Sequence, residues 1–357
     1  MSIKKIAEMA GVSYSTVSRV LNNPEYKCSS EDVRDRILQA ARQMSYIPNE
    51  AAKNLRLGIK KEQRPYNIAI LVTRTESADI DPFFREITRM VEGEIHRNMC
   101  ILSQVWYQPG FSSNEQYGNE NADRLVKEMC GLSANTPDGL IIIGKCSPAA
   151  IKALKKYFKC IVSVNRNSTN YEVDEVICDG RKIAAMAVEY LISLGHRKIG
   201  YVGDCHNEAR FKGYQETLYK YNLDSDIDYV IETRQSEAQG YKIMEKLMQQ
   251  KNVPTGIYCA NDIIAVGMLK CLSKYKSRYY TPSIISSDDI DEAQYTKPML
   301  TTVHLPKDDM AKLALHLLLD RINGGHKAVA RVELEGTLIV RESCMEAGNS
   351  IDYEYYI

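Results

Sequence analysis

From Pro65 onward, short β-rich runs alternate with amphipathic stretches, and this alternation is what most constrains the fold. The runs are Asn67–Thr73, Met99–Val105, Gly139–Gly144, Cys160–Asn165, Lys198–Asp204, Tyr229–Glu232, Gly256–Asn261 and Ser283–Asp288. Helical patterns lie between them, among them Pro82–Arg97, Arg181–Leu194, Glu208–Tyr221 and Asp308–Ile322. Strand and helix in alternation predict parallel sheets covered on both faces. So many elements strain a single sheet, and two lobes are expected. The stretch Gln108–Asn121 is rich in turn formers and reads as a surface loop.

The first 60 or so residues have a different texture. Ile3, Ile6, Ala7 and Ala10 recur at helical spacing and Gly11 follows as a stop. Ser13 caps a second helix whose Val17, Val20 and Leu21 share one side. Ser29-Ser30-Glu31-Asp32 matches a capping box ahead of a third stripe, Val33, Ile37, Ala40, Ala41 and Met44. Helix, tight turn and helix form a helix-turn-helix pattern. With Val17, Val20 and Leu21 inward, Tyr14, Ser15, Ser18 and Arg19 face out. An arginine bonds two acceptors on a guanine edge, and a serine is a short adaptable donor and acceptor. Thr16 is placed for phosphate. Spacing alone leaves open an ordinary α-rich domain with Arg19 as a solvated charge.

Charge favours the DNA reading. The whole chain is neutral, with 46 Lys+Arg against 46 Asp+Glu. Residues 1–64 carry 12 basic against 7 acidic residues, and the remainder 34 against 39, so +5 stands against −5. A basic head on an acidic body suits polyanion binding by the head alone.

Other classes find little support. No apolar run reaches the ~18 residues of a spanning helix, and the start MSIKKIAEMAGVS has no signal-peptide pattern. A cytoplasmic protein with no membrane partner is expected. The ten cysteines show no CxxC and no metal spacing, so most are expected to be buried thiols, with no metal and no cofactor. There is no GxSxG elbow, phosphate loop or GxGxxG fingerprint, and the six histidines form no constellation. His196 is expected to support a loop. An enzyme, or a plain sugar-binding module with a basic head, is therefore the weaker alternative.

The segments IKKIAEMAGVSYSTVSRVLNN and SSEDVRDRILQAARQMSYIPNEAAKNLR resemble the head of the lactose/galactose-repressor family of bacterial transcription regulators. The resemblance continues through DPFFREI, PDGLIIIG, GHRKIGYVGD, EARFKGYQETL, CANDIIAVGMLK and SSDDIDEAQYTKPMLTTVHLP, and so spans essentially the whole chain. It implies an α/β protein with an all-α helix-turn-helix head, residues 1–48, a hinge helix and linker, 49–64, and a two-lobed periplasmic-binding-protein-like (Rossmann-like) core, 65–357. Lobe one would take about 65–175 and 301–330, and lobe two 176–300 and 331–357.

By the same resemblance Tyr14, Ser15 and Arg19 read bases, and Thr16 and Asn49 contact the backbone. The hinge NEAAKNLRLG is too short to be a stable helix alone in water. The family pairs this helix with that of its dimer mate in the minor groove. Leu55 matches the wedge, Ala52 lies beside it, and Lys53 and Arg56 meet phosphates. Without the family match, Leu55 would read as ordinary packing.

In open α/β lobes, ligands bind at strand carboxyl ends. The resemblance makes Asn165, Arg210, Gln235, Asn261 and Asp288 effector ligands and Phe83 or Phe84 an apolar wall. Each has a plainer reading: Asp288 as a turn cap, Asn261 as a helix cap, the phenylalanines as core. Asn165 replaces the family's common Asp, Gln235 stands where many relatives place an aromatic, and His206 where a small polar residue is common.

The likeness is strongest to the galactose-repressor branch of Gram-positive bacteria, which favours a galactose-related sugar as effector. The implied partners are a near-palindromic double-stranded DNA operator, a small-molecule effector and a second copy of the chain, with the protein on the nucleoid when DNA-bound. Co-repression, as in purine-sensing relatives, is the alternative sign of control. The tail SCMEAGNSIDYEYYI has no leucine heptad, so a coiled-coil tetramer is not supported.

Overall fold

The computed structural model describes residues 3–22, 26, 31–44, 64–74, 81–112, 122–131, 136–233, 235–275 and 280–349. The chain divides into two compact units, Met1–Arg64 and Pro65–Ile357.

In the first unit, helices α1 (Ile3–Ala10), α2 (Tyr14–Asn22) and α3 (Glu31–Gln43) share a core of Ile6, Ala7, Ala10, Val17, Val20, Ile37, Ala40 and Ala41. The turn between α1 and α2 works for two local reasons. Gly11 adopts φ +65°, a left-handed conformation that costs glycine little. The Ser13 hydroxyl then accepts from the Thr16 backbone N–H at 3.1 Å and caps α2. The Arg36 guanidinium donates to the Ala10 carbonyl at 3.1 Å and fastens α3 to the end of α1. The expected Ser29 capping box and the entire hinge, with Asn49, Ala52, Lys53, Leu55 and Arg56, lie outside the described residues.

The second unit holds two six-stranded sheets. The first runs β11-β5-β4-β3-β1-β2, built from β1 (Asn67–Val72), β2 (Ile101–Tyr107), β3 (Gly139–Ile143), β4 (Ile161–Asn165), β5 (Asp174–Cys178) and β11 (Arg331–Leu334). The second runs β12-β10-β9-β8-β6-β7, built from β6 (Ile199–Gly203), β7 (Val230–Glu232), β8 (Gly256–Cys259), β9 (Ser283–Asp288), β10 (Thr301–His304) and β12 (Thr337–Ile339). Every pairing is parallel except β10 with β12. Ile68–Val72 and Leu140–Ile143 are buried on both faces, as central parallel strands require.

Strand pairing moves the lobe boundaries from where the sequence places them. β5 stays in the first sheet through Cys178, and the first crossing falls at Asp179, ahead of the helix Gly180–Ser193, which packs on β8, β9 and β10. β10, expected to begin the return, pairs with β9 in the second sheet. The return is made by the helix Lys307–Ile322, which packs on β3, β4 and β5 and on the helix Pro82–Arg97. β11 then pairs with β5 in the first sheet, so residues from 331 do not open lobe two. That last crossing comes between β11 and β12, beside Gly336.

Within Gln108–Asn121, Pro109–Phe111 forms one 3₁₀ turn with Phe111 buried; residues 113–121 lie outside the described residues. The cysteine expectation needs correcting. Of the nine described, all free, only Cys100, Cys178, Cys259 and Cys271 are buried and five are half-buried.

Candidate functional site

On the head, Tyr14, Ser15 and Arg19 are exposed on α2, Thr16 and Ser18 are half-buried, and Val17 and Val20 are buried. The Ser13 hydroxyl lies 2.8 Å from both the Ser15 and the Thr16 hydroxyls. The Arg19 guanidinium reaches the Tyr26 hydroxyl at 3.5 Å and lies 5.9 Å from its ring centre, which restrains it on the outer face.

In the core, carboxyl ends of the strands of both sheets carry charged residues. Arg74, Lys145 and Arg166 follow β1, β3 and β4, and Asp204 follows β6, while Asp288 ends β9. They meet across the lobes. The Arg74 guanidinium contacts Asp204 at 3.4 Å and donates to Gln235 Oε1 at 2.9 Å. Lys145 Nζ donates to the His206 carbonyl at 2.6 Å and lies 3.9 Å from Asp204. Arg166, 5% exposed, forms a buried ion pair with Asp288, 1% exposed, and its guanidinium sits 4.4 Å over the Phe83 ring. Burial pushes the Asp288 carboxyl up to about 7 against the pull of Arg166 and Arg210, so desolvation outweighs the attraction of the two guanidinium groups.

The backbone at this point is unusual. Asp288 and Asp289 have φ +137° and +49°, in a region that side chains rarely adopt. Lys307 Nζ holds the turn through the Asp288 and Asp289 carbonyls at 3.2 and 2.8 Å while paired with Glu86 at 2.6 Å. Arg341 and His304 hold the Asp289 carboxylate at 2.7 and 2.9 Å.

The expected effector residues are therefore brought to one cleft, but in two groups. Phe83 and Phe84 pack edge to face at 5.3 Å beside Asn165 and Arg166; both rings belong to the main core cluster. On the other side, Asn261 Nδ2 donates to Gln235 Oε1 at 3.3 Å, and Asn261 Oδ1 accepts from Ile264 N at 3.4 Å, so it also caps the next helix. Arg210 already serves two protein acceptors: its guanidinium donates to Glu208 at 2.9 Å and to the Ala260 carbonyl. Burial acts against the Glu208 charge, yet Arg210 holds that carboxyl down to about 2. Arg210, Asn261 and Asp288 are each 1% exposed. Gln235 Nε2 is a buried donor with no partner among the described residues.

The charged set Arg74, Lys145, Arg166 and Asp204 is absent from the sequence expectation. Its signal was available as position: each follows a strand end by one or two residues. His196, as expected, is structural, its ring nitrogens 3.0 Å from Thr255, Ser283 and the Met345 carbonyl. Asp204, His206 and Glu232 approach one another, but Asp204 already serves Arg74, Lys145 and the His206 N–H. No described helix is long and apolar enough to cross a membrane.

A helix-turn-helix unit and a two-lobed α/β unit with a polar cleft at its strand ends together define a DNA-binding regulator with a ligand-sensing core. Residues 2–49 match the family model of bacterial regulatory proteins, lacI family, and residues 188–344 that of a periplasmic binding protein-like domain. The HTH-type transcriptional repressor PurR of Haemophilus influenzae is 28% identical over 354 residues, covering 96% of this chain and 98% of that protein. The HTH-type transcriptional repressor MelR of Bacillus subtilis is 27% identical, covering 96% and 97%. Among solved structures, the lac repressor dimer bound to operator and the anti-inducer ONPF matches with a TM-score of 0.64 at 20% identity, over 97% of this chain and 99% of that one. Over nearly its whole length the chain is thus similar to HTH-type transcriptional repressors, and its head matches the lacI family model.

Proposed function

We propose that this chain is a homodimeric repressor that binds a near-palindromic operator and whose operator affinity is set by a small effector, a galactose-related sugar, held between the core lobes. The observation that carries the reading is the capped α2 with Tyr14, Ser15 and Arg19 on its outer face, in one chain with lobes joined by the buried Arg166–Asp288 pair. A ligand couples to DNA only by binding two lobe arrangements unequally, and that pair is the contact an opening motion breaks. Asn165, Gln235, Asn261, Asp288, Arg210 and the Phe83–Phe84 wall are the proposed effector contacts. Asn49, Ala52, Lys53, Leu55 and Arg56 are the proposed hinge contacts, with Leu55 as the wedge.

Operator-shift titration with monosaccharides and disaccharides tests the sensor. Weakened operator binding is the expected result, and unchanged affinity with every small metabolite would sink it. Leu55→Ala is expected to weaken specific binding far more than non-specific binding; an equal loss removes the wedge. The second reading is a co-repressor-activated regulator, favoured by the likeness to the Haemophilus influenzae repressor PurR. Ligand would then strengthen the operator shift.

A further inference from the structure

A cavity of the core lies beside the pocket under Phe83 and Phe84 and shares Asn165 with it. It measures about 580 Å³, within the roughly 300–1,000 Å³ typical of small-molecule sites. Both lobes build it: Lys145, Asn165 and residues 167–171 come from the first, Asn207, Ala209 and Lys212 from the second, and Asp179 and Arg181 from the crossing between them. Of the seven expected effector residues, only Asn165 lines it.

Part of its polar lining is uncommitted. Asn165 Nδ2, the Asn170 and Asn207 amides and the Lys212 ammonium have no protein partner among the described residues. Of the cations on the wall, Lys145 serves the His206 carbonyl, Arg181 pairs with Glu216 at 3.1 Å and Arg331 with Glu333 at 3.1 Å, which leaves Lys212; the one lining carboxylate, Asp179, caps Arg181 N at 2.9 Å. The helices Gly180–Ser193 and Ala209–Lys220 both begin here, and helix starts favour negative charge. Pro148, Ile151 and Ile177 supply an apolar patch. Asn170, Tyr171 and Asn207, with φ +56°, +62° and +48°, all lie on this wall, and strain of this kind gathers at ligand clamps.

We infer that this cavity binds an acidic sugar, a polyol carrying a phosphate or carboxylate. The amides meet its hydroxyls, the apolar patch meets a ring face, and Lys212, beside the two helix starts, meets the acid group. The inference rests on the reading of the core as an effector sensor, and it names the ligand class of a site beside the effector contacts proposed above, with Asn165 shared by the two. Because the walls come from both lobes, such a ligand would bias their arrangement.

The test is thermal shift and calorimetry on the full chain with D-galactose 6-phosphate, D-galacturonate, D-galactose and inorganic phosphate. At least one acidic sugar is expected to raise Tm beyond what D-galactose or inorganic phosphate does. Lys212→Glu and Asn207→Asp, both at exposed positions, should raise its Kd by ~10-fold or more, about 1.4 kcal/mol, with the ligand-free Tm unchanged. The inference is overturned if no acidic sugar stabilises the chain, if stabilisation is equal in Lys212→Glu, or if inorganic phosphate reproduces the whole shift. Stabilisation by D-galactose alone, indifferent to Lys212→Glu, would leave the sensor standing and remove this site. Failure of the sensor itself would show separately, as operator affinity indifferent to every ligand.

Discussion

Glu208 and Arg210 show how a single buried pair orders the floor of the cleft. Glu208 caps the helix Ala209–Lys220, and Arg210 spans from it to the Ala260 carbonyl at the end of β8, so one pair sets both a helix start and a strand end. Removing one partner of such a pair costs about 3–5 kcal/mol, because the other charge stays buried alone. The pH dependence has a definite sign. With Glu208 held at about 2, below its ordinary 4.5, its contribution is present above the ordinary value and is lost as pH falls toward 2. Glu208→Gln is therefore expected to lower Tm most at pH 6–7, with the gap to the parent closing below pH 4.5. A gap that stays constant across that range would show that Arg210 does not hold the charge. Arg166 teaches a different lesson. It follows Asn165 directly, and in a sequence an arginine after a strand end is indistinguishable from solvated surface; only the folded lobes place Asp288 opposite it.

At the scale of elements, periodicity carried the central strands and the long helices because these are apolar runs and stripes of full length. It missed β5, which opens with two acids. Those acids are legible only through partners distant in sequence: Asp174 takes Arg321, His326 at 3.0 Å and the Ala330 N–H at 2.8 Å, and Glu175 takes Thr169 and Ser168. It also missed β10 and the edge strands β11 and β12, three or four residues each, whose pairing alone decides their lobe. The packing of the helices Glu237–Leu247 and Asp262–Tyr275 adds a constraint no stripe displays. A Cβ on Gly267 would overlap the Glu237 carbonyl, and one on Gly240 the Ile264 carbonyl, so the helices touch backbone to backbone. Since backbone cannot yield as a side-chain tip can, Gly267→Ala is expected to destabilise the core by about 1–3 kcal/mol despite alanine's better helix propensity. A higher melting temperature in that variant would mean that the helices separate at no cost.

For the whole molecule, the zero net charge conceals a division: +5 on residues 1–64 and −5 on the remainder. DNA affinity depends on the phosphates that basic groups neutralise, and each released counterion steepens the salt dependence. The boundary of the charge division coincides with the boundary between the two compact units, Arg64 and Pro65. Phosphate attraction and effector sensing are thus separable on physical grounds. A fragment covering residues 65–357 is expected to keep any effector-induced rise in Tm and to give no DNA shift at ~50 mM salt, where electrostatic binding is strong. The full chain should shift the same DNA and lose that affinity steeply between ~50 and ~200 mM salt. If the fragment bound DNA within about tenfold of the full chain, ~1.4 kcal/mol, the acidic body would have to carry a phosphate-binding face of its own. The basic head would then no longer account for operator recognition.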